Sequence, residues 1–170
     1  DALARTGLEL IGLPDDLRVA IDAELPPRWS RNNPIDMAGG ETRDTVPEIL
    51  RLAASHRDVD AVLFLGMGIQ SNQAKLMREG RFWPDHGLDR IVAFHERQDA
   101  RYAEAAAEIS EATGKPVLVA TELAVTSPDN PGPAAVRAGG RLCYPSADRA
   151  VVALDHLWRR SRWLARRALG

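Results

Sequence analysis

A short apolar run that breaks into two glycines, residues 59–68, most constrains how this chain can fold. The run is rich in branched side chains over residues 59–65, which is typical of a strand buried on both faces of a parallel sheet. The glycines Gly66 and Gly68 then permit a sharp turn, and residues 70–79 favour a helix. The sequence therefore predicts a strand, a tight turn and a helix in direct succession.

The start of that helix is a candidate anion site. A helix start beyond a buried strand presents unpaired backbone N–H groups and the positive end of the helix dipole, so it can bind phosphate. The alternative is an ordinary structural turn, because doubly wound α/β domains contain several such turns. The predicted phosphate-binding residues are Gly66, Met67, Gly68, Ile69, Gln70 and Ser71.

Hydrophobic periodicity and turn residues predict strands that alternate with helices along the whole chain. Such a pattern indicates an α/β fold, a doubly wound parallel sheet with helices on both faces in three layers, formed by one domain over residues 1–170. The predicted strands cover residues 8–13, 34–37, 59–65, 117–121 and 141–144. The predicted helices cover residues 14–25, 45–56, 70–79, 89–113, 134–138 and 146–168, the last capped by Ser146.

Ligands of such sheets bind at the carboxyl ends of the strands. The candidate turns at that edge are residues 38–42, 66–70, 122–127 and 144–146. We expect all of them to lie along one edge.

Composition excludes several classes of protein. The chain has 170 residues, 45% of them hydrophobic, which is enough for one substantial core. A formal charge of -2 argues against a nucleic-acid-binding protein, and no apolar run approaches the ~20 residues of a membrane span. One cysteine, Cys143, rules out an intramolecular disulfide. A cytoplasmic location is expected.

No residue of this chain is predicted to be catalytic. The serines lack a Gly-x-Ser-x-Gly elbow, and Cys143 is expected to be a small buried hydrophobic residue. His95, close to Asp99 in the long predicted helix, is expected on a solvated face. No histidine pair has the spacing of a helical metal site, so no metal is predicted.

Four segments, in their order along the chain, carry a resemblance to a known family. They are Asn33-Pro34-Ile35-Asp36 with Ala38-Gly39-Gly40, Arg57-Asp58-Val59-Asp60-Ala61-Val62-Leu63, Gly114-Lys115-Pro116-Val117-Leu118-Val119, and Tyr144-Pro145-Ser146-Ala147-Asp148-Arg149-Ala150. The chain resembles the NDP-forming acyl-CoA synthetases. More narrowly, it is similar to the flavodoxin-like ligase domain that corresponds to the C-terminal domain of the succinyl-CoA synthetase β chain.

The resemblance implies a role for the glycine turn. In that family the domain pairs with a second ligase domain whose histidine is phosphorylated, and two helix N-termini, one from each domain, hold the phosphohistidine. The turn Gly66 to Ser71 aligns with the phosphate-facing helix start, and Asp36, Gly39 and Gly40 align with the neighbouring loop. The family's first strand has no counterpart in this chain, and residues 80–98 are longer than the family's usual connection.

The resemblance also implies what the complete enzyme would need. Coenzyme A and ATP with Mg²⁺ would bind to partner domains, a phosphohistidine/CoA-binding domain and an ATP-grasp domain, joined in cis or in trans. This chain is expected to bind no cofactor alone and not to be active alone.

Two hypotheses about function follow. In the first, the chain is a ligase domain whose helix start stabilises a partner's phosphoryl group, and Gly68→Glu is expected to abolish turnover while leaving the fold intact. In the second, the chain is a non-catalytic assembly or regulatory module that binds partner chains through residues 81–88 and the arginine-rich C-terminal helix, with Trp83, Trp158 and Trp163 as anchors.

Overall fold

A computed structural model of the chain describes residues 2–37, 39 and 44–168. A single 3-10 turn, Leu3–Arg5, opens the described part. The helices are α1 (Asp15–Glu24), α2 (Thr45–Ser55), α3 (Ile69–Arg78), α4 (Leu88–Thr113), α5 (Leu123–Thr126), α6 (Pro131–Ala138) and α7 (Ala147–Ala168). The strands are β1 (Val62–Leu65), β2 (Val117–Ala120) and β3 (Cys143–Tyr144).

The three strands form one parallel sheet in the order β1-β2-β3. Val62 pairs with Val117 at the start of the β1–β2 ladder, and Ala120 pairs with Tyr144 at the end of the β2–β3 ladder. Helices cover both faces of this open sheet. The predicted α/β class is confirmed: over the described residues the sheet has a flavodoxin-like arrangement that lacks a strand.

Alternate residues of β2 face the two helical layers, because successive side chains of a strand point to opposite faces. Val117 and Val119 pack in one cluster with residues of α2, α4 and α6, among them Leu50 and Tyr102. On the other face, Leu118 and Ala120 pack against Ala150 of α7, and Leu154 lies beside this cluster. The central strand is therefore buried on both sides, as its continuous apolar sequence predicts.

Two predicted strands, residues 8–13 and 34–37, are irregular segments instead, so those predictions are wrong. Their apolar side chains, among them Ile11 and Ile35, lie beside a cluster built by α1 and α2. Pro34 lacks the N–H group that strand pairing needs. The apolar side chains of these segments are therefore buried without backbone pairing to the sheet.

The predicted helices are confirmed, and each observed helix end lies within three residues of its predicted position. The structure adds α5, a single helical turn after β2. Its four residues are too few to show a helical periodicity in the sequence. Ser146 caps α7 as predicted, since its Oγ accepts a hydrogen bond from the Arg149 amide at 3.3 Å.

The start of the chain packs against α7 through Gly7. The Gly7 amide donates to Oδ1 of Asp155 at 3.3 Å, and the Asp155 side chain is buried. A Cβ atom at Gly7 would collide with the indole ring of Trp158. A glycine is therefore required where residues 3–7 cross this helix.

We expect Gly7→Ala to lower the free energy of unfolding by roughly 1–3 kcal/mol, because the indole must shift out of its packed position. Urea denaturation measures this change. Gly12→Ala is the matched control, since a Cβ atom there meets nothing within 4 Å. Equal stability of the two variants would show that Trp158 does not constrain Gly7.

No helix in the described part of the chain is long and apolar enough to cross a membrane.

Candidate functional site

The turn between β1 and α3 lies at the carboxyl edge of the sheet. Gly66 and Gly68 both adopt positive φ angles, 89° and 93°, which side chains rarely tolerate. The connections after β2 and β3 leave from the same edge because all three strands are parallel. Three of the four predicted turns thus share one edge, as expected, whereas most of the fourth, residues 38–42, lies outside the described residues.

The α6 start packs directly on Gly68. The Asn130 side chain donates from Nδ2 to the Gly68 carbonyl at 3.1 Å and accepts at Oδ1 from the Gly132 amide at 3.0 Å. A Cβ atom at Gly68 would lie 2.6 Å from Asn130 Oδ1 and 2.9 Å from Leu123 Cδ1. Gly68→Glu would therefore disturb the fold, so the expectation that it leaves the fold intact is wrong.

A buried carboxylate from α4 occupies the start of α3. Asp99, whose side chain is 1% exposed, accepts hydrogen bonds from the Gly68 amide at 3.1 Å and from the Ser71 amide at 2.7 Å. A carboxylate at this position satisfies two of the helix's unpaired donors and complements its positive end. Asp99 therefore acts as an internal anion at the predicted phosphate site.

Most amides of the predicted site have acceptors within the chain. Besides the two held by Asp99, the Gly66 amide donates to the Ala120 carbonyl at 3.2 Å and the Ile69 amide donates to the Gly66 carbonyl at 3.3 Å. Among the described residues, the amides of Met67 and Gln70 have no acceptor. Met67 is fully buried, whereas Gln70 is partly exposed. The phosphate site stays a prediction, and these contacts restrict it to the Gln70 amide.

Two side chains on the outer side of the turn leave it accessible. Leu65 is 49% exposed at the end of β1, and Ile69 is 59% exposed at the first position of α3. The side chain of Gln70, the next residue, contacts the half-buried imidazole of His95 through Oε1 and Nδ1. A partner domain can thus approach the first turn of α3 from the carboxyl edge.

One buried hydroxyl at the turn has no partner. Ser71 Oγ makes no hydrogen bond, although the residue is 5% exposed. An unsatisfied buried hydroxyl costs free energy, on the order of 1–3 kcal/mol.

The predicted neighbouring loop is only partly described. Asp36 pairs with Ser30 through its backbone, since its amide donates to Ser30 Oγ at 3.0 Å and its carbonyl accepts from the Ser30 amide at 3.2 Å. Gly39 adopts a positive φ of 67°, and Gly40 lies outside the described residues. The proximity of this loop to the turn at Gly66 remains a prediction.

In the described part of the chain, no group of three or more histidine, cysteine, aspartate or glutamate side chains could hold a metal ion. Burial raises the pKa of the Cys143 thiol, which keeps it protonated and agrees with its expected role as a small hydrophobic residue.

Comparison with known families bears on the part of the chain that leads into the turn. Residues 1–70 match the model of the Ligase-CoA domain family. The match covers α1, α2, β1 and the glycine turn, and it ends in the first turn of α3, at Gln70. Searches of curated proteins and of solved structures found no significant match.

The Ligase-CoA match confirms the resemblance to a CoA-ligase domain over those 70 residues. Asp99, Asn130 and His95 lie outside the matched segment, and sequence analysis did not assign them to the turn. One signal could have revealed Asp99: it falls on the same face of α4 as the buried residues Tyr102, Ala103 and Ala106. A carboxylate on an apolar helical face needs buried donors.

Proposed function

We propose that residues 1–170 form one domain of an NDP-forming acyl-CoA synthetase, an acid–thiol ligase. The match of residues 1–70 to the Ligase-CoA domain family carries this proposal. The complete reaction joins a carboxylic acid to coenzyme A and converts a nucleoside triphosphate into a nucleoside diphosphate and phosphate. Coenzyme A, ATP and Mg²⁺ would be held by the partner domains.

The role proposed for this chain is electrostatic. A phosphoryl group on a histidine of a partner domain would meet the first turn of α3, where the amide of the partly exposed Gln70 has no acceptor among the described residues. Donors fixed before the reaction stabilise a charged group without having to reorganise. Asp99 holds the flanking amides of Gly68 and Ser71, and it thereby fixes the turn in one conformation.

The carboxylate of Asp99 also limits this role. It already neutralises part of the positive end of α3, so free phosphate alone will bind weakly. The partner domain must therefore supply most of the affinity by presenting the phosphoryl group at a high effective concentration.

A phosphate titration of the chain tests the site. The ¹⁵N-labelled protein should show a saturable shift of the Gln70 amide, and Ile69→Asp should weaken binding about tenfold, because a carboxylate at the first position of α3 repels phosphate. Ile69→Asn has nearly the same shape without the charge and should bind like the unchanged chain. Since Ile69 is 59% exposed and Asp suits a helix start, both variants should fold.

Identical phosphate affinity of the Asp and Asn variants would rule out an anion contact at this turn. Shifts confined to other amides would place phosphate elsewhere. Either result leaves the family match intact and removes only the electrostatic role.

A second candidate function, a non-catalytic assembly or regulatory module, is favoured by the exposure of the 81–88 loop. Phe82 is 50% exposed, with the Arg81 guanidinium 4.4 Å from its ring centroid. Trp83 is half-buried beneath Arg78, whose guanidinium lies 4.8 Å from the ring centroid. An exposed aromatic ring beside arginine is common in protein interfaces. Catalytic activity of the assembled ligase would be the outcome that excludes this alternative.

A further inference from the structure

An apolar stripe on α7 continues beyond the body of the domain. Its members follow the alternating spacing of three and four residues that is typical of a coiled-coil seam. They are Ala147, Ala150, Leu154, Leu157, Ser161, Leu164 and Ala168. The first half of the stripe packs on the sheet, where Ala150 is fully buried and Leu154 lies beside Leu118.

The second half of the stripe is exposed. Leu157 is 53% exposed and Leu164 is 48% exposed, and Ser161 and Ala168 are exposed as well. Trp158, on the flank, is half-buried because it packs over Gly7. The seam thus runs from the core into solvent without interruption of the helix.

The charges beside the exposed seam all have one sign. Residues 156–168 contain five arginines and no carboxylate. Arg159 pairs with Asp155 at 2.8 Å, whereas Arg160 and Arg167 stack on Trp163 at 4.7 Å and 4.3 Å from its ring centroid. Within the described chain, neither Arg160 nor Arg167 has a carboxylate partner.

Arg160 and Arg167 occupy the positions that set partner choice in coiled coils. The seam leucines Leu157 and Leu164 occupy position d of the heptad. Arg160 and Arg167 each follow one of them by three residues and therefore occupy the flanking position g. The flanking positions e hold Trp158 and Ala165, which carry no charge. An antiparallel pair of two α7 helices would oppose arginine to arginine, and a parallel pair would leave both arginines without a partner.

The shape of the stripe also indicates that its binding partner is a helix and not a lipid surface. A helix that lies in a membrane interface has a broad apolar face of bulky side chains. Here the exposed seam is narrow, with Ser161 and Ala168 between and after its two leucines, and Trp163 lies outside the seam, stacked against Arg160 and Arg167 on its flank. A narrow seam suits the insertion of side chains from one facing helix.

We propose that residues 157–168 of α7 dock an amphipathic helix of a partner protein that carries carboxylates beside its own apolar seam. Charge complementarity selects this occupant, because carboxylates complement the two arginines at position g, which have no carboxylate partner among the described residues. Leu157 and Leu164 supply the apolar contact.

A peptide-binding experiment tests this surface. The probe is a labelled synthetic helix of three heptads with leucine at a and d and glutamate at e and g, and its control carries lysine at e and g. We expect the acidic peptide to bind the chain, and Arg160→Glu/Arg167→Glu to weaken that binding about tenfold and to favour the lysine peptide. Arg90→Glu/Arg97→Glu, on exposed positions of α4, is the matched control and should change nothing.

The apolar part is tested by Leu157→Gln/Leu164→Gln, which should also weaken binding at least tenfold, whereas Val19→Gln, at a position 67% exposed on α1, should not. Circular dichroism should show that all four variants retain their helices.

Equal binding of the two peptides would overturn the proposal. Binding only to vesicles that contain phosphatidylserine would overturn it in favour of a lipid surface. Protection of a Leu164→Cys thiol from maleimide in a longer natural form of the protein would overturn the proposal, because it would show that another segment of the same protein covers this surface.

Discussion

Asp99→Ala is expected to lower the free energy of unfolding by roughly 3–5 kcal/mol, because it leaves two buried amides without an acceptor. The Gly68 and Ser71 amides donate to this carboxylate at 3.1 Å and 2.7 Å, and the three residues are buried together. Each hydrogen bond to a charged group contributes about 1.5–3 kcal/mol. Denaturation in urea, followed by circular dichroism, measures the loss.

Two further variants make this result specific. Asp99→Asn keeps one acceptor and places an amide donor against the other N–H group, so its loss of stability should be intermediate. Glu104→Ala removes an exposed carboxylate from the same helix and should change the free energy of unfolding by less than about 0.5 kcal/mol. A neutral effect of Asp99→Ala would contradict the assignment of Asp99 as the anion of α3.

Gly132→Ala is expected to lower the free energy of unfolding by roughly 2–3 kcal/mol, because α6 touches the backbone of the glycine turn. A Cβ atom at Gly132 would lie 2.7 Å from the Cα and N atoms of Gly68. Backbone atoms cannot rotate away as a side chain can, so the helix or the turn must shift. The shift should also weaken the contacts of Asp99 with the turn.

The control for this substitution lies at the other end of the same helix. A Cβ atom at Gly139 meets only the carbonyl oxygens of Val136 and Ala135, at 3.5 Å and 3.6 Å. Gly139→Ala should therefore be close to neutral. Amide exchange at Ser71 gives the second measurement, since it should speed up in Gly132→Ala and not in Gly139→Ala.

Local patterns predicted those parts of the fold that depend on neighbours in sequence. The apolar run before Gly66 forms β1, and the helical periodicity of residues 45–56 forms α2. Residues 8–13 and 34–37 have apolar side chains as well, yet a strand also needs a neighbouring edge within reach, which no local pattern specifies. Those segments bury Ile11 and Ile35 without joining the sheet.

The candidate site was predictable as a backbone turn and not as a set of contacts. Glycines and the strand before them indicated the turn, because both are local signals. The partners of its amides come from positions 28 and more residues away, Asp99 on α4 and Asn130 before α6. Their side chains reach the turn only because the helices pack against one another. Hydrophobic periodicity predicts which face of a helix is buried, but it does not predict which atoms come into contact.

The activity of this chain assembled with the partner ligase domains tests the phosphoryl contact at α3 directly. We expect release of nucleoside diphosphate that depends on both a carboxylic acid and coenzyme A, with turnover reduced about tenfold by Ile69→Asp and unchanged by Ile69→Asn. Acyl-CoA synthesis that proceeds equally well in both variants would contradict a phosphoryl contact at the start of α3.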